Sequence, residues 1–407
     1  MTIEIVSIGT ELLSGYTLNT NATTIGQLLL SCGFVIDRVT LLPDDATLLN
    51  KGITEAMQRS AYVITTGGLG PTGDDLTRAI IADIFHLPLV CDHSVKEDLV
   101  KRFTPNLSTL EDQSKVPRGA TILYNPIGTA PGFILTHSTS TIIALPGVPA
   151  QMEAMLSAVT LYLRGHHKKS CYVTALYLCQ LVEEQVDPLL RSCEKEYPNL
   201  QIGICPSLGT LSVFIRAHNA VILNSVTKKI AQAFSSYLFS TTSKRLEGAL
   251  QEWMIAHKKT LACAESCTGG YLSARLTTIS GASNYFLGSI VSYSNTLKSS
   301  VLHVLPATLQ SHGAVSREVV MEMAQGAIVL TNADYAIAIS GIAGPHGGTD
   351  SKPVGTAWGA IATKTEIFTG VICAHQGAKR EMAIEYFATY LLSALWRYLQ
   401  HDIEPFS

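Results

Sequence analysis

Ser283 stands in the segment Gly281-Ala282-Ser283-Asn284-Tyr285-Phe286, and Tyr293-Ser294-Asn295-Thr296-Leu297-Lys298 follows shortly after it. No histidine lies between the serine and the lysine. A serine hydroxyl is a poor nucleophile until a base takes its proton, and a lysine whose pKa is lowered is such a base. Ser283, Tyr293 and Lys298, in a stretch with few other charges, therefore point to amide hydrolysis of the Ser–Lys type. Each residue also has an ordinary reading: Ser283 as a turn residue, Tyr293 as a strand aromatic, Lys298 as a solvated helix residue. A second segment, Ala264-Glu265-Ser266-Cys267-Thr268-Gly269-Gly270, leaves a strand-like run and enters a helix-like one. It reads either as a capped helix start or as a phosphate cradle. Ser266 is a rival nucleophile there and Cys267 a rival thiol. The nearest histidine, His257, precedes the strand, and nothing in the sequence sets it against either residue.

Two glycine-containing turns in the first third of the chain carry a different chemistry. Ser7-Ile8-Gly9-Thr10-Glu11 closes one apolar run, and Thr65-Thr66-Gly67-Gly68-Leu69-Gly70-Pro71-Thr72-Gly73-Asp74-Asp75 closes another. Glycines let backbone approach a phosphate, and exposed N–H groups at a helix start favour its charge. Gly67, Gly68, Gly70 and Thr72 are the candidate phosphate binders. Asp74 and Asp75 suit a Mg²⁺ ion bridging to phosphate oxygens. Tight turns capped by Asp are the alternative. Cys263 and Cys267 are four apart, but no partner falls at zinc-site spacing.

The elements that must position these residues follow from pattern. Residues 3–8, 34–42 and 61–65 read as strands, with helical spacing over 21–32 and 46–58. Such alternation predicts a mostly parallel sheet covered on both faces, with ligands at the carboxyl ends of its strands. Residues 172–178 and 210–217 read as strands with helices over 183–194 and 220–238, a small α+β module. A second α/β domain follows, with strands over 260–264, 290–293, 335–340, 356–362 and 367–373 and helices over 271–278 and 379–399. The expected organisation is α/β: two three-layer domains, 1–167 and 246–407, joined by the module at 168–245.

Bulk composition narrows the function. The chain has 407 residues, 47% of them apolar and 15% charged, with net charge -3. It can bury sizeable cores. With no basic excess, nucleic-acid binding is not expected. No apolar run reaches the roughly 18 residues a membrane helix needs. No signal peptide is read at the start, and nine scattered cysteines without a Cys-x-x-Cys pair fit reduced thiols. The expected location is the cytoplasm.

Gly67–Asp75, with Asn125-Pro126-Ile127-Gly128-Thr129-Ala130-Pro131-Gly132-Phe133 and Leu145-Pro146-Gly147-Val148-Pro149, resembles the molybdopterin-binding-like domain of the competence/damage-inducible CinA-like family. Glu265–Gly270, Gly281–Lys298, Gly313–Ser316, Ser340–Gly348 and Lys352–Thr356 resemble that family's C-terminal domain, which includes nicotinamide mononucleotide deamidases. The resemblance implies conversion of nicotinamide mononucleotide to nicotinic acid mononucleotide and ammonia, with Ser283 as nucleophile, Lys298 as base and Tyr293 positioning or relaying a proton. It implies substrate contacts from Ser266, Thr268, Gly269, Ser340 and Arg380, and no cofactor for this step. Ser340 stands where the family usually has threonine. Gly377-Ala378-Lys379-Arg380 replaces a Gly-Asp-Arg pattern, which leaves Lys379 as the alternative cation. Leu178–Glu184 departs from the family's usual turn. For the N-terminal domain the resemblance implies a molybdopterin-like or ADP-ribose-like ligand, divalent metal, and ADP-ribose hydrolysis in some members, with Asp74 and Asp75 handling metal or phosphate and Glu11 and Asn19 as weaker candidates. A homodimer is implied, and a non-enzymatic regulatory role in competence or DNA-damage response is the alternative.

Overall fold

A computed structural model describes residues 2–103, 107–137, 139–168 and 171–407. Two compact units emerge, Met1–Val173 and Thr174–Ser407. In the first, six strands lie in the order Arg38–Leu42, Ile3–Ile8, Tyr62–Thr66, Ser140–Leu145, Gly132–His137, Thr121–Leu123. The first four are mutually parallel, Gly132–His137 runs antiparallel to them, and Thr121–Leu123 pairs antiparallel with Gly132–His137. Period-two alternation sends Ile3 and Ile5 to one face, against Ile25, Leu29, Met152 and Val159. Val6 and Ile8 go to the other, against Leu49, Ile53 and Ile81. Helices therefore cover both faces, as the sequence pattern requires. Glu4 would break that rule, being fully buried, but Arg59, Thr40 and Ser60 donate to its carboxylate at 2.6 to 3.2 Å.

The second unit holds two sheets. Gln201–Ser207, Thr210–Ala217, Tyr172–Cys179 and Leu238–Ser240 form one, backed by helices Glu183–Glu196 and Ala220–Ala233. The other runs Phe286–Val291, Leu261–Glu265, Tyr335–Gly341, Thr356–Thr363, Ile367–Cys373, the first three parallel. The small sheet belongs with the C-terminal one because polar and close-packed contacts join them. Gly209 (φ +81°) turns the hairpin against Thr389 with no room for a side chain. Arg397 donates to Ser236 O and to Gln180.

Strand Tyr335–Gly341 shows how sequence chooses the layers here. Ile337 and Ile339 join the large cluster under helix Arg380–His401, whereas Ala336 and Ala338 face Val319, Met323 and Ala324 of helix Arg317–Thr331. The alanine face lets that second helix approach closely. A strand expected over 290–293 lies instead at Phe286–Val291. Ser294 caps the next helix, Asn295–Leu302, by accepting from Leu297 N, so the chain leaves the sheet before Tyr293. The expected helix over 220–238 ends at Ala233. Among the described residues no helix is long and apolar enough to cross a membrane.

Gly326, in helix Arg317–Thr331, touches the end of helix Asn295–Leu302: a Cβ there would meet Leu302 O at 2.1 Å. Alanine gains about 1 kcal/mol of helix propensity, but overpacking of this kind costs about 1–3 kcal/mol. Gly326→Ala is expected to lower the urea midpoint of unfolding rather than raise it.

Candidate active site

The parallel strands Leu261–Glu265, Phe286–Val291 and Tyr335–Gly341 all end on one side of the C-terminal sheet, and the candidate site is built there. Glu265, the last residue of its strand, is fully buried. Its Oε2 accepts from Thr268 Oγ1 (2.8 Å), Gly270 N (3.0 Å) and Leu272 N (3.1 Å), and its Oε1 from Ser273 N (3.0 Å) and Ser289 Oγ (2.9 Å). These bonds fold residues 266–270 into a tight turn, with Gly269 and Gly270 at positive φ, ahead of helix Tyr271–Thr277. Ser266 is the first residue of that turn, held on its other side by its N–H to Ile339 O at 3.0 Å.

Lys298 reaches Ser266 from helix Asn295–Leu302. Its Nζ donates to Ser266 Oγ at 2.9 Å and to Ser292 O at 2.7 Å. The lysine is 1% exposed. Burial pushes its ammonium below the usual lysine range, opposed by the sulfur of neighbouring Cys267. Ser266 and Lys298 line a cavity of about 270 Å³ with Tyr293, Ser340, Gly344, His346 and Arg380. Among the described residues no carboxylate lines it, so its charged lining is cationic.

Around the rim, Arg380 opens helix Arg380–His401 and donates to Gly344 O (2.8 Å) and to Tyr293 Oη (3.0 Å). Tyr293 is 60% exposed; its hydroxyl meets Arg380 rather than the serine or the lysine. Ser340 donates to Ala314 O at 2.7 Å, which fastens the 313–316 loop to the end of its strand. Lys379 is exposed and is not among the lining residues.

Ser283 requires a correction. It is exposed on the short 3-10 turn Ala282–Asn284, at the amino end of strand Phe286–Val291, while Lys298 follows its carboxyl end. Six strand residues rising roughly 3.3 Å each put roughly 20 Å between those ends. Nearness in sequence is therefore distance in space, and Ser266 arrives beside Lys298 through the adjacent parallel strand. Thr268 and Gly269 also stand outside the cavity lining, the threonine hydroxyl being spent on Glu265. Cys267 does line it, but burial pushes its thiol up to about 12, which removes it as a thiolate nucleophile. His257 stacks on Trp253 at the amino end of its strand, away from the site. Sequence reasoning missed Glu265, Ser292 and His346. Only Glu265 had a signal: an acidic residue ending an apolar strand just before a Thr-Gly-Gly helix entry.

The first unit has its own cavity of about 680 Å³ at the carboxyl ends of Ile3–Ile8, Tyr62–Thr66 and Ser140–Leu145. Gly67, Gly68, Gly70, Asp74, Asp75, Glu11 and Asn19 line it; Thr72 does not. Gly67 (φ +113°) and Gly68 (φ +68°) are required by close approach, since Cβ atoms would meet Ile8 O at 2.3 Å and Thr77 Oγ1 at 2.2 Å. Asn19 caps helix Thr20–Ser31, accepting from Ala22 N at 3.2 Å. Asn21, missed by the sequence reading, donates to Thr66 Oγ1 and Gly147 O at 2.8 Å each and ties the loops together. Asp75 Oδ2 is occupied by Thr72 N (3.0 Å) and Thr72 Oγ1 (2.6 Å). Among the described residues no three His, Cys, Asp or Glu side chains converge as a metal group. Among the described residues no lysine, arginine or histidine lines this cavity.

Fold and cavities define a two-part α/β protein in which a glycine-walled cavity and a serine–lysine cavity each sit at strand carboxyl ends. Residues 4–165 match the family model described as "Probable molybdopterin binding domain", and residues 243–399 match the CinA C-terminal domain. A CinA-like protein of Thermotoga maritima is 35% identical over 399 residues, covering 95% of this chain and 97% of that one. Another, from Citrifermentans bemidjiense, is 37% identical over 370 residues, 89% of each. A solved structure of competence damage-inducible protein A from Klebsiella pneumoniae is 37% identical and covers 38% of this chain and 96% of its own, with TM-score 0.37. On the near full-length matches, the chain belongs to the CinA family.

The buried state of Cys267 is open to measurement. Iodoacetamide at pH 8 is expected to alkylate the exposed Cys91, Cys205 and Cys373 and to leave Cys267 unmodified in the folded protein, read by peptide mass mapping.

Proposed function

We propose that the C-terminal cavity is the active site of an amidohydrolase that converts nicotinamide mononucleotide to nicotinic acid mononucleotide and ammonia, with Ser266 as nucleophile and Lys298 as its base. The observation that carries this reading is the 2.9 Å contact between Lys298 Nζ and Ser266 Oγ in a cavity without carboxylates. A buried lysine whose ammonium is destabilised is neutral at a lower pH than a solvated one, and a neutral amine can take the serine proton. In the proposed sequence, Lys298 takes that proton as Ser266 Oγ attacks the carboxamide carbon. The carbonyl oxygen becomes an oxyanion, for which the amide of Cys267, one residue past the nucleophile and in the cavity wall, is the donor candidate. Such a donor is worth roughly 3 kcal/mol. The proton passes from Lys298 to the leaving nitrogen, ammonia departs, and water hydrolyses the acyl-serine with the lysine again accepting a proton.

The cationic lining suits a substrate carrying a phosphate: Arg380 and the start of its 22-residue helix stand on the rim. In this reading Tyr293 acts at that rim, through its bond from Arg380, rather than as a proton relay.

The test is ammonia release from nicotinamide mononucleotide. Ser266→Ala and Lys298→Met are expected to lose activity by about 10³-fold or more, as removal of a nucleophile or its base does, whereas Ser283→Ala keeps wild-type activity. Wild-type activity should rise with pH along a limb whose midpoint lies below the ordinary lysine value of 10.5, because only the neutral amine accepts the proton. Full activity in Ser266→Ala would overturn the assignment.

A second, separate reading concerns the N-terminal cavity. Its glycine walls, its size and the start of helix Thr20–Ser31 suit a nucleotide such as ADP-ribose. Its lining carries Glu11, Asp44, Asp74 and Asp75 and no cationic side chain, so a diphosphate ligand would have to bring its counter-charge with it. Titration calorimetry with ADP-ribose is expected to show binding with Mg²⁺ present and loss of binding with chelator; equal binding under both conditions would refute a metal requirement. Absence of heat in either condition would remove ADP-ribose as the ligand.

A further inference from the structure

We infer that Glu265 is a positioning residue for the Ser266–Lys298 pair: its one side chain holds the turn that carries the nucleophile, and its own carbonyl holds the segment that orients the base. The inference rests on the reading of that pair given above.

An ordinary helix cap supplies one or two bonds from a side chain at the helix boundary. Glu265 does something different. It lies six residues before helix Tyr271–Thr277, at the end of a strand, and spends both oxygens on five donors. Four of the donors, on Thr268, Gly270, Leu272 and Ser273, lie along the turn and first helical residues that follow Ser266. The fifth, Ser289 Oγ, belongs to the neighbouring strand that leads towards Lys298. The main chain repeats the link: Glu265 O accepts Ser292 N at 2.8 Å, and Ser292 O accepts Lys298 Nζ at 2.7 Å. Serine and lysine therefore hang on one residue, through its side chain and its backbone. With Glu265 itself fully buried, no water is available to replace a lost acceptor.

Two variants separate positioning from mere stability. Thr268→Val/Ser289→Ala removes both hydroxyl donors and keeps the carboxylate; Glu265→Gln keeps the shape and turns one acceptor into a donor facing amides. The probe is an alkyl fluorophosphonate. Ser266 Oγ forms a bond to phosphorus, the P–F bond breaks, fluoride leaves, and Lys298 takes the serine proton. Labelling needs no knowledge of the natural substrate. If Glu265 positions the pair, both variants reach full labelling of the folded protein, but kinact falls by about tenfold or more with KI little changed. Misplacement of reacting groups by an ångström costs up to about 10²-fold. A purely structural role would reduce the fraction of protein that can be labelled while the folded remainder keeps its kinact. Should Glu265→Gln fail to fold, the double variant decides alone. Folded variants with kinact within about twofold of wild type would overturn the inference, a difference of less than about 0.5 kcal/mol in barrier. A wild type that does not label at Ser266 would overturn it too. Labelling at Ser266 without ammonia release from nicotinamide mononucleotide sinks the substrate proposed above, and the kinact comparison still decides whether Glu265 positions the pair.

Discussion

A carboxylate with no access to water, Glu265, organises the C-terminal half of this protein. Taking such a group out of water is costly unless its lone pairs are met, and here five donors meet them. Hydrogen bonds to charged groups are worth about 1.5–3 kcal/mol each, and removing the acceptor would leave several buried N–H and O–H groups unmet at once. The tight turn after strand Leu261–Glu265 exists because that acceptor is there. The adjacent strand Phe286–Val291 is tied to it through Ser289, and the segment reaching Lys298 through Ser292. Much of the geometry around the cavity is downstream of this one side chain.

The two cavities obey opposite electrostatic rules, each inside its own unit. Around Ser266 the charged lining is Lys298 and Arg380, with no carboxylate to neutralise them. Such a wall attracts an anion, while burial destabilises the lysine's own charge. In the N-terminal cavity the charged lining among the described residues is acidic, and anion binding must draw on backbone N–H groups, hydroxyls, side-chain amides and whatever cation a ligand carries. The glycines there also serve the fold: Gly67 and Gly68 lie against Ile8 and Thr77, so their lack of side chains is a packing requirement before it is a ligand requirement.

Much of the architecture was legible from pattern. Alternation of strand and helix periods predicted the covered sheets, and the Ala-Ile-Ala-Ile run of strand Tyr335–Gly341 states in sequence which face receives a close helix. Edge and short elements were less legible. The strand at Phe286–Val291 has a mixed burial pattern on the sheet's edge, and its end is set by the helix cap at Ser294 rather than by its own alternation. Both Ser266 and Lys298 were visible as residues able to do chemistry, yet nearness along the chain joined Lys298 to Ser283 instead.

That misjoining marks the division between what sequence and tertiary structure decide. Residue types and local periods determined the fold class, the family resemblance, the lysine as a candidate base, and the two loops where candidate residues gather, because helix and strand periods and glycine's backbone freedom are local properties. Which serine faces Lys298 was decided only by tertiary structure. In a parallel sheet, the carboxyl ends of strands distant in sequence meet at one edge, while the two ends of a single strand lie on opposite sides of the domain. Ser266 reaches Lys298 across that edge, and Ser283 is kept from it by the length of its own strand.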